Sequence, residues 1–186
     1  MTMIHSNLEI PLYRTELVRD RNIQFKDCSE TESAAEIFHT LLDNSPIEKM
    51  VVLFMDGAGK FVGCEIVGMG TIDRVATAFP EIFRGAIVAG VNKIILGHNH
   101  PSGNATPSEA DITMTELTNF AAKIFDIIVW DHIIVAPNGT HFSMADPKNK
   151  PEMNRIINII RTKETLNIIN GFNYETLLGI SNKGTI

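Results

Sequence analysis

Between residues 29 and 146 the chain switches repeatedly between a helical and an extended hydrophobic period, and few architectures accept that pattern. Ser29–Asp43 sets Ala34, Ala35, Ile37, Phe38, Leu41 and Leu42 at helical spacing and ends at Asn44-Ser45-Pro46. Met50–Met55 is a continuous apolar run, and after Asp56-Gly57-Ala58-Gly59 the segment Phe61–Val67 returns as the second arm of a hairpin. Phe79-Pro80 opens a second helix with Ile82, Phe83, Ala86 and Ile87 on its apolar face and Gly90 as a left-handed cap. Lys93–Gly97 follows as a buried strand. Thr106-Pro107-Ser108-Glu109 predicts a capping box with Thr106 as N-cap, launching a helix to about Phe125 with Met114, Leu117, Ala121 and Ile124 as its stripe. Ile127–Ala136 is strand-like, Asn138-Gly139 marks a turn and Thr140–Met144 returns; Phe125 and Trp130 read as core. The expected class is α/β, a sheet with helices packed on it.

At 186 residues there is room for one domain and an appendage, and 44% hydrophobic with 20% charged residues is enough to build a core. The divisions expected are an N-terminal extension over 1–28, the domain over 29–146 and an appendage over 147–186. In the appendage, Met153, Ile156, Ile157 and Ile160 stripe a helix over Pro151–Asn170, with a polar tail beyond. A net charge of −6 repels phosphate backbones and counts against a nucleic-acid partner. No apolar run approaches the ~18–20 residues of a membrane span, and Asn7, Glu9 and Arg14 interrupt any secretory core, so a cytoplasmic protein with no membrane partner is expected. Cys28 and Cys64 read as ordinary free thiols. The pattern leaves an oligomer open.

The chemistry concentrates in His98-Asn99-His100-Pro101-Ser102-Gly103 and Ser108-Glu109-Ala110-Asp111. Just past the buried strand, two histidines two residues apart on extended chain point to one side, so both imidazoles can meet one ion. The Pro101–Gly103 turn folds back toward a helix whose first turn carries Asp111, a third ligand. Two His and one carboxylate suit a tetrahedral zinc with a position left open for water, whose pKa falls to about 7. Ser108, three residues before Asp111, shares its helix face and is placed to hydrogen-bond that water or a developing oxyanion. A general base should be a carboxylate at the sheet edge. Glu48, immediately before the Met50–Met55 strand, is the first candidate and Glu65, in mid-strand, its rival. His132, beside Asp131, reads either as a partner of the site or as a buried, hydrogen-bonded core histidine. His5, His39 and His141 have no partner spacing.

His98-x-His100, seven residues, Ser108, two residues, Asp111 resembles the JAMM motif of the JAB/MPN zinc metalloproteases. His98-Asn99-His100-Pro101-Ser102-Gly103, with Pro107-Ser108 and Asp131-His132-Ile133-Ile134, resembles the RadC-like branch, and the similarity spans Ser29–Met144. The resemblance implies His98, His100 and Asp111 as zinc ligands, Glu48 as general base and Ser108 as the residue that orients the water and stabilises the tetrahedral intermediate. It implies an α/β/α arrangement, a mixed curved sheet flanked by helices and related to the cytidine-deaminase layout. It further implies hydrolysis of a peptide or isopeptide, including a ubiquitin-like conjugate, as substrate. Long RadC forms carry a helix-hairpin-helix segment upstream, for which residues 1–28 are too short. The His-x-Glu and Pro-Cys-x-x-Cys of nucleobase deaminases do not occur. Two alternatives stand beside the hydrolase: a DNA-repair-associated RadC-type protein without protease activity, and a non-catalytic MPN scaffold.

Overall fold

The computed structural model describes residues 18–24, 30–42, 45–69 and 79–162. Cys28, the ends of the first predicted helix at Ser29 and Asp43, the helix beyond Thr162 and the C-terminal tail lie outside the described residues. Within them, helix α1 (Glu30–Leu42) is followed by strands β1 (Lys49–Met55) and β2 (Phe61–Met69), helix α2 (Phe79–Ala89) and strand β3 (Lys93–Asn99). Helix α3 (Glu109–Ala122), strands β4 (Ile128–Val135) and β5 (His141–Ser143), and helix α4 (Lys150–Thr162) complete the order. The five strands form one mixed sheet in the order β2-β1-β3-β4-β5, with β3 and β4 parallel and the other pairs antiparallel. This is the α/β architecture expected.

Side-chain alternation divides the core in two. Met50, Val52 and Phe54 of β1, with Ile94 and Leu96 of β3, meet Ile82, Phe83 and Ala86 of α2 and Ala121 and Ala122 of α3. Val51, Leu53 and Met55, with Ile95 of β3, meet Ala34, Ala35, Ile37, Phe38 and Leu42 of α1 on the other face. His98 shares the parity of Ile94 and Leu96, so strand geometry sends it to the face that α3 covers. Gly97 turns the other way. A Cβ there would collide with ring atoms of Phe38, so glycine is what lets α1 lie close under the strand that carries His98.

One irregularity decides which face β4 offers. Ile94 pairs with Val129 but Ile95 pairs with Asp131, so Trp130 is the extra residue of a β-bulge. A one-residue slip exchanges the two faces of a strand. Val129 accordingly packs with the α2/α3 core, whereas Ile133 and Val135 pack with the α1 core. His132 is thereby turned to the same face as His98.

The bulge also corrects the reading of Trp130 as core: it is 45% exposed, with Lys93 Nζ 5.2 Å from its ring centroid. Helix α3 ends at Ala122 and passes into a 3-10 turn, Lys123–Phe125, whose tighter period turns Ile124 and Phe125 outward. Both are exposed, although the Phe125 ring still lies 5.2 Å from that of Phe83. Ile87 falls one position outside the Ile82/Phe83/Ala86 stripe and is exposed as well. Gly90 takes the left-handed conformation expected after α2, φ 67°. Cys64 is a free thiol whose pKa is raised by burial. Among the described residues, no helix is long and apolar enough to cross a membrane.

The close approach at Gly97 gives a test. Gly97→Ala should lower the unfolding free energy by about 1–3 kcal/mol, the usual cost of overpacking a core. The double variant with Phe38→Leu should recover part of that loss; strict additivity of the two substitutions in urea denaturation would show that they do not share a contact.

Candidate metal centre

His98 lies inside β3 and not just past it, because the strand runs on to Asn99; His100 is the first residue beyond. Alternation still puts both imidazoles on one side. Between them Asn99 turns to the opposite side and is buried. Its Oδ1 accepts from Lys49 N at 2.8 Å, and its Nδ2 donates to Ile47 O at 3.1 Å. Asn99 therefore ties the approach to β1, Glu48 included, to the end of β3. Met50 pairs with His98 in an antiparallel register, and continuing that register by two residues sets Glu48 opposite His100. Glu48 is half-buried, and its charge acts on His100.

The cap of α3 differs from the one expected. Thr106 is held in the preceding loop by a bond from its N–H to Asn104 Oδ1, 3.0 Å, and the N-cap is Ser108. Ser108 Oγ accepts from Asp111 N at 3.2 Å, and Asp111 Oδ2 accepts from Ser108 N at 2.7 Å, a reciprocal capping box. The Ser108 hydroxyl also donates to Asp111 Oδ2 at 2.5 Å. The cap that starts the helix thus aims the Asp111 carboxylate at the strand end.

There it meets the two histidines. His98 Nε2 lies 3.0 Å from His100 Nε2 and 3.2 Å from Asp111 Oδ1, and His100 Nε2 lies 3.4 Å from Asp111 Oδ2. One ligand atom from each residue falls within 4.8 Å of the others. Donors 2.0–2.2 Å from a tetrahedral ion stand about 3.3–3.6 Å apart; the separations here, 3.0–3.4 Å, lie at or just under that range, so the N, N, O set could hold a metal ion. Side-chain exposure rises from 2% at His98 through 11% at His100 to 16% at Asp111, so the cluster is closed behind and open in front.

The electrostatics agree. Burial alone would raise the Asp111 carboxyl, but its contacts with His100 and His98, and the Ser108 hydroxyl, hold it well below the usual carboxylate range. Burial opposes charge on His100, yet Asp111, the Asn104 carbonyl and Glu48 raise its pKa above the ordinary histidine value. Both residues report a site that attracts positive charge. At His100 the donor is settled as well: Nδ1 lies 2.8 Å from Asn104 O, a carbonyl that can only accept, so in the neutral ring Nε2 is the bare nitrogen.

Glu65 is elsewhere. It pairs with Val52 on edge strand β2, two strands from His98, and its Oε1 is bound by Arg84 Nη2 at 2.5 Å. His132 is both things the sequence allowed: it is buried, and its Nε2 is 2.8 Å from His98 Nδ1. Burial, with His98 nearby, holds its pKa well below the ordinary value. Thr115 Oγ1 lies 2.6 Å from His132 Nδ1. Asn99 and Thr115 have no place in the sequence-based site. Thr115 carried a legible signal, being four residues after Asp111 and so on the same helix face; Asn99 carried none, since its partners lie about fifty residues upstream.

The RadC-like JAB domain family matches residues 28–150, roughly two thirds of the chain. Among curated relatives, a UPF0758 protein of Finegoldia magna is 37% identical over 110 residues, 59% of this chain and 49% of the relative. A UPF0758 protein of Rhodobacter capsulatus is 34% identical over 119 residues, 64% of this chain and 56% of the relative. A third, from Trichodesmium erythraeum, is 38% identical over 102 residues, 55% and 42% of the two chains. The chain spans about half the length of the curated relatives it matches.

The support beneath His132 yields a prediction. Buried Asp131 accepts from His132 N at 2.7 Å, Ala145 N at 3.0 Å and the Ser143 hydroxyl at 2.6 Å. Asp131→Ala strands these donors and should cost about 1–3 kcal/mol in chemical denaturation. Burial raises the Asp131 pKa, with its hydrogen bonds opposing. The folded chain therefore holds that proton better than the unfolded one, and stability from this group is lost as the pH rises from the ordinary 3.8 through the raised value. Asp131→Asn should gain on the wild type across that window, and a constant difference between them would exclude the linkage.

Proposed function

The chain belongs to the RadC-like JAB domain family, and from that premise we propose that it is a zinc-dependent hydrolase of peptide or isopeptide bonds, with a peptide or protein as substrate. The observation that carries the reading is the convergence of His98, His100 and Asp111, with one ligand atom each inside 4.8 Å. Zinc held by two imidazoles and a carboxylate keeps an open position and brings the pKa of a water there down to about 7.

The chain's own residues divide the remaining work. Glu48, opposite His100 on the register of β1 and β3, accepts a proton from the attacking water and returns it to the leaving nitrogen. Its half-buried position and the charge it exerts at His100 support this role. Asn99 positions it by anchoring the backbone at Ile47 and Lys49. Ser108 donates to Asp111 Oδ2 at rest. Rotation of the hydroxyl about Cβ–Oγ keeps the bond from Asp111 N and turns the proton toward an oxygen on which negative charge develops. Glu65 is not the base in this reading, because Arg84 holds it two strands away.

Elemental analysis of the purified chain beside Asp111→Ala is the direct test: near one zinc per chain is expected in the wild type and loss of it in the variant. Glu48→Gln should keep the zinc and lose about 10²–10⁴-fold in turnover on a peptide or isopeptide substrate. Undiminished turnover in Glu48→Gln would remove Glu48 from the role of base. A wild-type chain that takes up no zinc after reconstitution would overturn the hydrolase and favour a binding module.

A further inference from the structure

Two imidazoles in contact do not by themselves decide which of them carries the hydrogen between them; a third group must take sides. Thr115 does so. Its Oγ1 donates to the backbone carbonyl of Asp111, one helical turn earlier, at 2.6 Å. That carbonyl outcompetes the alternative acceptor, the Met144 thioether sulfur at 3.4 Å. A hydroxyl has one proton, so toward His132 Nδ1, also 2.6 Å away, Thr115 can only accept, and the hydrogen is on His132 Nδ1.

His132 is buried, and its two nitrogens meet a hydroxyl and an imidazole, neither of them an anion, so the ring is neutral. Its Nε2 is then a lone pair. The 2.8 Å contact with His98 Nδ1 needs a hydrogen, which His98 Nδ1 supplies. In the neutral ring His98 is then left with a bare Nε2 that faces Asp111 Oδ1 at 3.2 Å and His100 Nε2 at 3.0 Å. The direction of the whole row is set at Thr115.

We propose that Thr115 and His132 are positioning residues for His98: the chain Asp111 carbonyl, Thr115 hydroxyl, His132 and His98 Nδ1 locks the His98 tautomer and ring angle, and so presents Nε2 to a divalent cation. The inference rests on reading the cluster as a metal centre. The same helix turn supplies a ligand through the Asp111 side chain and the acceptor that orients a second ligand through the Asp111 carbonyl. The bulge at Trp130 is what brings His132 onto this face at all. Partners that orient a metal-binding histidine in this way carry about 10–100-fold of the affinity.

The experiment uses the full chain and Co²⁺ as probe. Long-range ¹H–¹⁵N correlation on the metal-free protein should show His98 and His132 both as the Nδ1–H tautomer. Co²⁺ competition against a chelator should give a Kd about 10–100-fold weaker in Thr115→Val, with most of the affinity restored in Thr115→Ser, which keeps the hydroxyl. Melting of the metal-free variants separates this from a structural role, because a Thr115 that only stabilises the fold would lower the melting temperature and leave Kd unchanged. An Nε2–H tautomer at His132, or a Thr115→Val chain that binds Co²⁺ as tightly as the wild type, overturns the relay alone. Failure of the wild type to take up Co²⁺ overturns the metal-centre reading, and the role of the relay with it.

Discussion

A strand can offer a given side chain to one face only, and the candidate site depends on that parity being right in two neighbouring strands at once. In β3 it follows directly from the core: Ile94 and Leu96 face α2 and α3, so His98 does too. In β4 the regular alternation would fail. Val129 faces the α2/α3 core, and two residues at a time from there lead to Asp131 and Ile133, which leaves His132 on the far side. The unpaired Trp130 shifts the count by one and delivers His132 to His98. The bulge therefore does more than bend an edge: it exposes a tryptophan, and what it gains is an imidazole behind the candidate ligand.

The second constraint is electrostatic. The cluster gathers two nitrogens and a carboxylate in a space of a few ångströms, with His98 nearly sealed from water. Lone pairs so close repel one another unless a cation or a proton lies among them. Without a metal, the raised pKa of His100 and the depressed one of Asp111 are the response of groups that share such a field. The surrounding hydrogen bonds oppose relief by rotation: Asn104 holds the back of His100, His132 the back of His98, and Ser108 one oxygen of Asp111. The chain's overall negative charge of −6 is consistent with attracting a cation, but these few contacts provide the local reason.

Much of this was legible from residue types alone, and the limits have physical causes. The helices and strands through Thr162 fall near their expected positions because their apolar periods are long and punctuated by Gly, Pro and Asn. His98, His100, Ser108 and Asp111 were visible because their spacing is local, within one strand end and one helix start. The errors were also local. Thr106 lost the cap to Ser108 because Asn104 captured its N–H in the loop and Asp111 at N3 completes a reciprocal box. Trp130 was misread because a bulge has no periodic signature, and Ile124 and Phe125 because a helix that tightens to a 3-10 turn changes which side its residues face. Asn99 could not be read at all, since its meaning lies in backbone groups of Ile47 and Lys49, brought to it by strand pairing.

A helix N-terminus is an unexpected neighbour for a cation, since its unpaired N–H groups and dipole amount to roughly half a positive charge. The arrangement at α3 resolves the conflict by assigning the first turn to an anion. Asp111 sits at N3, where the dipole and the capping bonds both favour its ionised form. That stabilisation has a direction: it draws Oδ2 toward the backbone and hydroxyl of Ser108, while Oδ1 remains directed at His98 Nε2. Oδ1 thus serves the cluster alone, while Oδ2 satisfies the helix and also stands 3.4 Å from His100 Nε2. A glutamate at the same position would also satisfy a capping box, but its longer side chain would not hold an oxygen at that distance from β3 without displacing the strand end. The short carboxylate fits because the helix start and the strand end are themselves held close, by the turn through Gly103, whose N–H donates to His100 O at 3.2 Å, and by the 2.8 Å contact of His100 Nδ1 with Asn104 O.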